Sequence, residues 1–239
     1  MKTLLFILII SPIGAFAQLY GNNEIGIIND PDGYTFIREG HGTKTNVIDT
    51  LFEGEFFNFT PTDTSNWFKI YKMWNVYGFV HNSRIQNIKD LNNKEQLQLI
   101  DSIFDEEIRL HKNYWNNSTK EQKMATKFHE EKFGPTLELF VWYMCKNYDQ
   151  NLIHKFCEIL NLESGSADEL PSWALGYIFL CAPDLTINSV KKINSQIVYG
   201  HLEFGFSNVT YQKENEIQNY SELKMKIEKI TTTNNGEHP

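Results

Sequence analysis

Near residue 90 the spacing of apolar residues changes from every second position to every third or fourth, and that change divides the chain. Before it, short runs rich in β-branched and aromatic residues are broken by glycines and polar turns, the pattern of short strands. Glu24 to Ile28 opens the series, and Asn29-Asp30-Pro31-Asp32-Gly33 is a tight-turn signal. In the next run Phe36 and Arg38 fall on one strand face and Ile37 on the other. Val47 to Leu51 follows, Gly54 permits a reversal before Phe57 and Phe59, and residues 60–66 read as a solvated loop. Trp67 to Tyr71 and Tyr77 to His81 form the next pair, joined at Trp74-Asn75, with Trp67 and Phe79 expected in the core. Closure into a small barrel would remove the edges that such strands present.

From Leu91 onward the period is helical. Leu97, Ile100, Phe104 and Ile108 mark one helix. Ser118 with Glu121 is a capping box opening a second, which Gly134-Pro135 is expected to end. Leu137, Phe140, Val141, Met144 and Tyr148 make one apolar stripe, and Leu152, Ile153, Phe156, Cys157 and Leu160 another. Pro171 opens a segment from Trp173 to Cys181 that is apolar nearly all round, hence central, and Pro183 stops it. Val190, Ile193 and Ile197 predict a further helix, and Ile217, Tyr220, Leu223 and Ile227 the last. Short loops favour antiparallel neighbours in a compact array. A solenoid of helix pairs ranks below it, because no signature recurs at fixed period. The boundary is placed at Asp90-Leu91-Asn92-Asn93.

The order Ile37-Arg38-x-Gly40, Val47-Ile48, Gly54, Trp67-Phe68-Lys69-Ile70 and Gly78-Phe79-Val80 resembles that of bacterial SH3-like domains. The resemblance spans Ile25 to Ile88; Phe36 stands where Asn is usual, and Gly42-Thr43 where Pro-Ser is usual. It implies a small β-barrel that binds peptide, protein or cell-wall material such as peptidoglycan, and that is often joined to wall-cleaving enzymes. An aromatic groove suits such ligands, since rigid rings give large contact area at low entropic cost. Tyr34, Phe36, Trp74 and Tyr77 are the candidate ligand-binding residues, with Trp67 also considered.

The chain opens with Lys2, an apolar run from Leu4 to Ile10, and Ala15-Phe16-Ala17, the layout of a cleaved signal peptide over residues 1–17. The run falls short of the ~20 residues that span a bilayer. The protein is therefore expected to be exported, to the periplasm or beyond the cell, with no transmembrane segment. No cysteine follows the cleavage site, which argues against a lipid anchor. A net charge of -8 argues against nucleic acid as a partner. Cys145, Cys157 and Cys181 lie in apolar helical surroundings and are expected to be reduced and buried; a Cys145–Cys157 bridge is the competing reading. The N-x-S/T sequons at Asn58, Asn117 and Asn208 carry little weight in a chain resembling bacterial proteins.

Signals for chemistry are weak. His129-Glu130-Glu131-Lys132-Phe133 begins like a zinc-protease helix but has Phe133 where the second histidine belongs. His154, Cys157 and Cys145 have core spacing, and Cys181 with His201 lacks the polar context of a cysteine peptidase. Pro171 to Gly176 reads as close helix packing, and Leu202 to Phe206 as either a cap on the array or a partner site. No catalytic residue, metal or cofactor is assigned.

The expected architecture is α+β in two domains: an SH3-like barrel over residues 18–89, an all-helical array over 90–230, and a disordered tail over 231–239. The expected function is an exported, non-catalytic binding protein. A cell-wall hydrolase with the barrel as targeting arm is the alternative, and an envelope scaffold is a third reading.

Overall fold

The computed structural model of the chain describes residues 24–62, 65–72, 76–112, 114–162 and 168–234. The expected export signal, Trp74 and residues 235–239 lie outside them. No helix of the described residues is long and apolar enough to cross a membrane.

The fold is α+β. Strands come first: β1 (Glu24–Ile28), β2 (Tyr34–Arg38), β3 (Val47–Phe52), β4 (Phe57–Thr60), β5 (Trp67–Lys72), β6 (Val76–His81) and β7 (Ile85–Asn87). All pair antiparallel in one sheet of order β3-β2-β6-β5-β4-β1-β7. β3 and β7 are its edges, so the ladder is open where the sequence reading expected a closed barrel. Ile28, Ile37, Leu51, Phe57, Phe59, Ile70 and Val80 nevertheless meet in one buried cluster, and the sheet curls over it. Gly78 permits this: a Cβ there would stand 2.4 Å from the Ile37 side chain and 2.7 Å from the Arg38 carbonyl. Without one, β2 reaches β6 at the Arg38–Phe79 pair.

Trp67 and Phe79 are not in that core. Ile70 and Val80 are fully buried, and strand alternation then turns Trp67 and Phe79 to the other face, where both are half-buried.

The helical half begins directly. Asn92 caps α1 (Asn93–His111) in a capping box with Glu95, so the expected boundary is itself a helix start. Ser118 and Glu121 form the predicted box on α2 (Thr119–Phe128). This helix does not end at Gly134-Pro135. It runs through a π-turn (His129–Phe133) into α3 (Gly134–Asn147), with Pro135 in the first turn of α3. The Gly134 N–H donates to the His129 carbonyl, five residues back, so the wider turn absorbs the donor that proline lacks. Tyr148 leaves the α3 stripe: it caps the helix in the left-handed region at φ 54 and is exposed.

The apolar stripe of α4 (Gln150–Leu160) is buried as predicted. α5 (Leu170–Cys181) is the central helix, buried on most sides. Pro183 does not only stop it; it opens α6 (Pro183–Ile193) at once, across the non-helical Ala182. Val190 and Ile193 close α6, left-handed Asn194 breaks the chain, and Ile197 belongs to α7 (Gln196–Thr210). α8 (Tyr220–Asn234) passes the expected tail boundary at residue 231.

Two backbones meet where α5 crosses α7. A Cβ on Gly205 would stand 1.9 Å from the Ser172 carbonyl oxygen, and one on Gly176 2.5 Å from the Gly205 carbonyl carbon. The close packing read from Pro171 to Gly176 is this crossing. Gly205 and Phe206 are buried in it, whereas Phe204 is exposed.

Sheet and helices share interior. Ile25 and Ile88 belong to the large helical cluster, not to the sheet's own. Lys89 pairs with buried Glu138 of α3 at 2.5 Å, and the Lys132 ammonium lies 5.4 Å from the Phe56 ring centroid. The cysteines also differ from expectation. Cys145 and Cys181 form a disulfide linking α3 to α5, and Cys157 alone is free and buried.

Candidate functional site

The open face of the sheet collects aromatic and cationic side chains because strand alternation puts them there. On β2, Ile37 points into the core, so Tyr34, Phe36 and Arg38 point outward. On β5 and β6 the cross-strand pairs Trp67–His81, Lys69–Phe79 and Tyr71–Tyr77 continue the same face. Tyr34 and Phe36 meet edge to face at 5.4 Å, and Trp67 meets His81 the same way at 5.5 Å.

Between these groups lies a cleft of about 230 Å³, lined by Tyr34, Phe36, Arg38, Trp67, His81 and Arg84, with Asp30 and Asp32 at its turn. Arg84 is already engaged, 2.8 Å from Asp30, whose other neighbour is the Asp32 amide. Arg38 differs. Its guanidinium donates to the Thr45 carbonyl at 2.8 Å and leans over the Phe36 ring, 5.8 Å from the centroid. It has no carboxylate partner among the described residues. A guanidinium with spare donors beside exposed rings can hold a carboxylate and an apolar or planar group together.

The structure thus brings together Tyr34, Phe36 and Trp67. Tyr77 shares the face but lies outside the cleft lining; it is 60% exposed, against Tyr71 and 5.7 Å from the Lys69 ammonium. Trp74 lies outside the described residues. Arg38, His81 and Arg84 were missed as site residues. The signal for Arg38 was present, since it shares its strand face with Phe36.

A second cluster lies in the helical half. Glu107 and His111 are one turn apart on α1, and the π-turn carries His129 to them. All three are buried, at 1%, 3% and 5% exposure. Glu107 Oε1 is 2.6 Å from His129 Nδ1 and 3.2 Å from His111 Nδ1, and Asp168 Oδ2 is 3.5 Å from His129 Nε2. At that length the Asp168 contact is an ion pair and not a formed hydrogen bond. Burial would lower the His129 pKa, but the carboxylates of Asp168 and Glu107 outweigh it and raise it to about 9. One atom from each of Glu107, His111 and His129 lies within 4.8 Å of the others, the spacing of a group able to hold a metal ion.

His201, weighed above with Cys181, pairs instead with Ser172: Oγ and Nδ1 are 2.7 Å apart. Ser172 is buried, and its backbone carbonyl faces Gly205 at the α5–α7 crossing. Cys181 is tied up in the disulfide. Comparison of the chain with family models, curated proteins and solved structures finds no match.

Proposed function

We propose that the protein is an exported, non-catalytic binding protein whose sheet is an SH3-like module recognising a carboxylate-bearing peptide. Cell-wall stem peptide and a protein segment both fall within that chemistry. One observation carries the reading: three aromatic rings and the partly unengaged Arg38 guanidinium converge on one solvent-facing cleft. The sheet's own buried cluster supports it, because a curled sheet with a separate interior gives those side chains a rigid base. Size supports it too. The cleft is smaller than the ~300–1,000 Å³ typical of sites that enclose a cofactor or drug-sized molecule, and it suits one or two side chains of an extended chain. Arg38 takes the carboxylate; Tyr34, Phe36 and Trp67 take the apolar or planar part.

The test is sedimentation of the protein with purified cell-wall material, together with NMR titration by soluble peptides ending in a free carboxylate. Shifts confined to β2, β5 and β6, lost in Arg38→Ala and in the Tyr34→Ala/Phe36→Ala pair, are expected. Binding left intact by both variants would overturn the reading.

A further inference from the structure

We propose that Glu107, His111 and His129 form a binding site for a divalent ion of the zinc class, inside the helical half. The proposal does not rest on the peptide-binding reading, since the cluster belongs to other elements.

Local structure builds the site. Residues four apart on a helix lie on one face, so Glu107 and His111 are delivered together by α1. His129 arrives from the opposite side, and its position depends on the π-turn, a wide turn often found at functional sites. Zinc bonds of about 2.0–2.1 Å put tetrahedral ligands about 3.3–3.5 Å apart. The two contacts to Glu107 Oε1, at 2.6 and 3.2 Å, would open slightly to reach that spacing, and no pair in the set, all within 4.8 Å, would need to close by more than about 1.5 Å.

The hydrogen bonding within the cluster is incomplete. Glu107 Oε2, His111 Nε2 and His129 Nε2 are all buried without a hydrogen-bond partner. A buried unpartnered polar atom costs about 1–3 kcal/mol, more when charged, so the hydrogen bonds inside the cluster do not by themselves account for it. Two imidazoles and one carboxylate select the class. Magnesium and calcium prefer all-oxygen shells, whereas nitrogen-rich sets with one carboxylate suit zinc and its borderline neighbours. Asp168 stands 3.5 Å behind His129 Nε2, where an outer carboxylate orients a ligating histidine. Burial of all three donors closes the ion off from substrate. Its role is to tie the π-turn to α1, so that ion binding adds to folding free energy.

The experiment uses untagged protein stripped with a chelator and dialysed. Zinc is added while binding is followed by calorimetry and unfolding by heat, and cobalt(II) is added to a parallel sample for its visible absorption. One zinc per chain, a Tm that climbs with zinc concentration, and cobalt bands of a nitrogen–oxygen donor set are expected. Glu107→Gln and His111→Gln should each weaken zinc by at least tenfold, Asp168→Asn by about 10–100-fold, and His154→Gln not at all. Should the ligand variants fail to fold, the cobalt spectrum and zinc-dependent Tm of the unaltered protein decide the matter. No zinc-dependent change in that protein, or undiminished binding by folded Glu107→Gln and His111→Gln, would overturn the proposal.

Discussion

Cys145, near the end of α3, is joined by a disulfide to Cys181, the last residue of α5, across 36 positions of sequence. Burial meanwhile pushes the free Cys157 thiol up to about 12. Native oxidised protein should therefore take up no iodoacetamide at neutral pH. Unfolded without reductant it should take up one equivalent, and unfolded with reductant three, as read by mass spectrometry. Reducing the bond should lower stability by about 2–4 kcal/mol in chemical denaturation, since a loop of this size regains its unfolded entropy.

The face bearing Tyr34 and Phe36 contributes little to the interior. Both are exposed, at 40% and 39%, and stand outside the sheet's buried cluster, so Tyr34→Ala with Phe36→Ala should change the unfolding free energy by about 0.5 kcal/mol per site. The same pair should weaken peptide capture by about 2 kcal/mol, in line with aromatic anchors at other interfaces. Denaturation curves and binding isotherms on one preparation separate the two effects.

At the α5–α7 crossing the prediction is reversed. Alanine is the better helix former by roughly 1 kcal/mol, yet Gly205→Ala should destabilise. Its methyl would meet a backbone carbonyl, which cannot rotate aside, so the net loss should reach the upper part of the ~1–3 kcal/mol seen for overpacked cores. Gly200→Ala on the same helix has open space around it and should be neutral or stabilising in the same assay.

Burial lowers the His201 pKa below its ordinary 6.5. The unfolded chain then binds a proton that the folded one resists, so this group's contribution is complete above pH 6.5. It is lost as pH falls toward the lowered folded value. Urea midpoints measured from pH 7.5 to 5 should drop more steeply in the native sequence than in His201→Asn, which carries no titratable group there.

Lys89 joins the sheet to Glu138 of α3. The salt bridge raises the Lys89 pKa against burial, whereas burial keeps the Glu138 pKa raised despite the lysine. Removing Lys89 alone leaves a carboxylate with little water, so Lys89→Met should cost about 1–3 kcal/mol. The Lys89→Met/Glu138→Leu double variant should recover most of it, as replaced buried pairs commonly do. A double-mutant cycle by denaturation reads the difference.

These residues also show what could be read from sequence. The period-two stretch became strands and the later stripes became helices, because one-sided burial imposes those spacings directly. Which side of a strand faces inward was harder where both sides are apolar. Trp67 and Phe68 are neighbours, as are Phe79 and Val80, and composition cannot choose the phase. Pro135 misled for a different reason: proline forbids an ordinary turn, but a π-turn supplies a way past it. The cleft was half legible, through Tyr34 and Phe36, while Arg84 reaches it from beyond β6 by chain folding alone. Glu107 and His111 had metal-like spacing throughout. Nothing in sequence brought His129 to them, nor Cys145 to Cys181.

Ile25 and Ile88 lodge among helical side chains although they arise from the first strand and the end of the sheet region. Cleavage or gene fusion after Asp90 would therefore leave each fragment with a raw greasy scar, and neither would be a faithful copy of its part in the intact molecule. Strands and helices hold their interior in common.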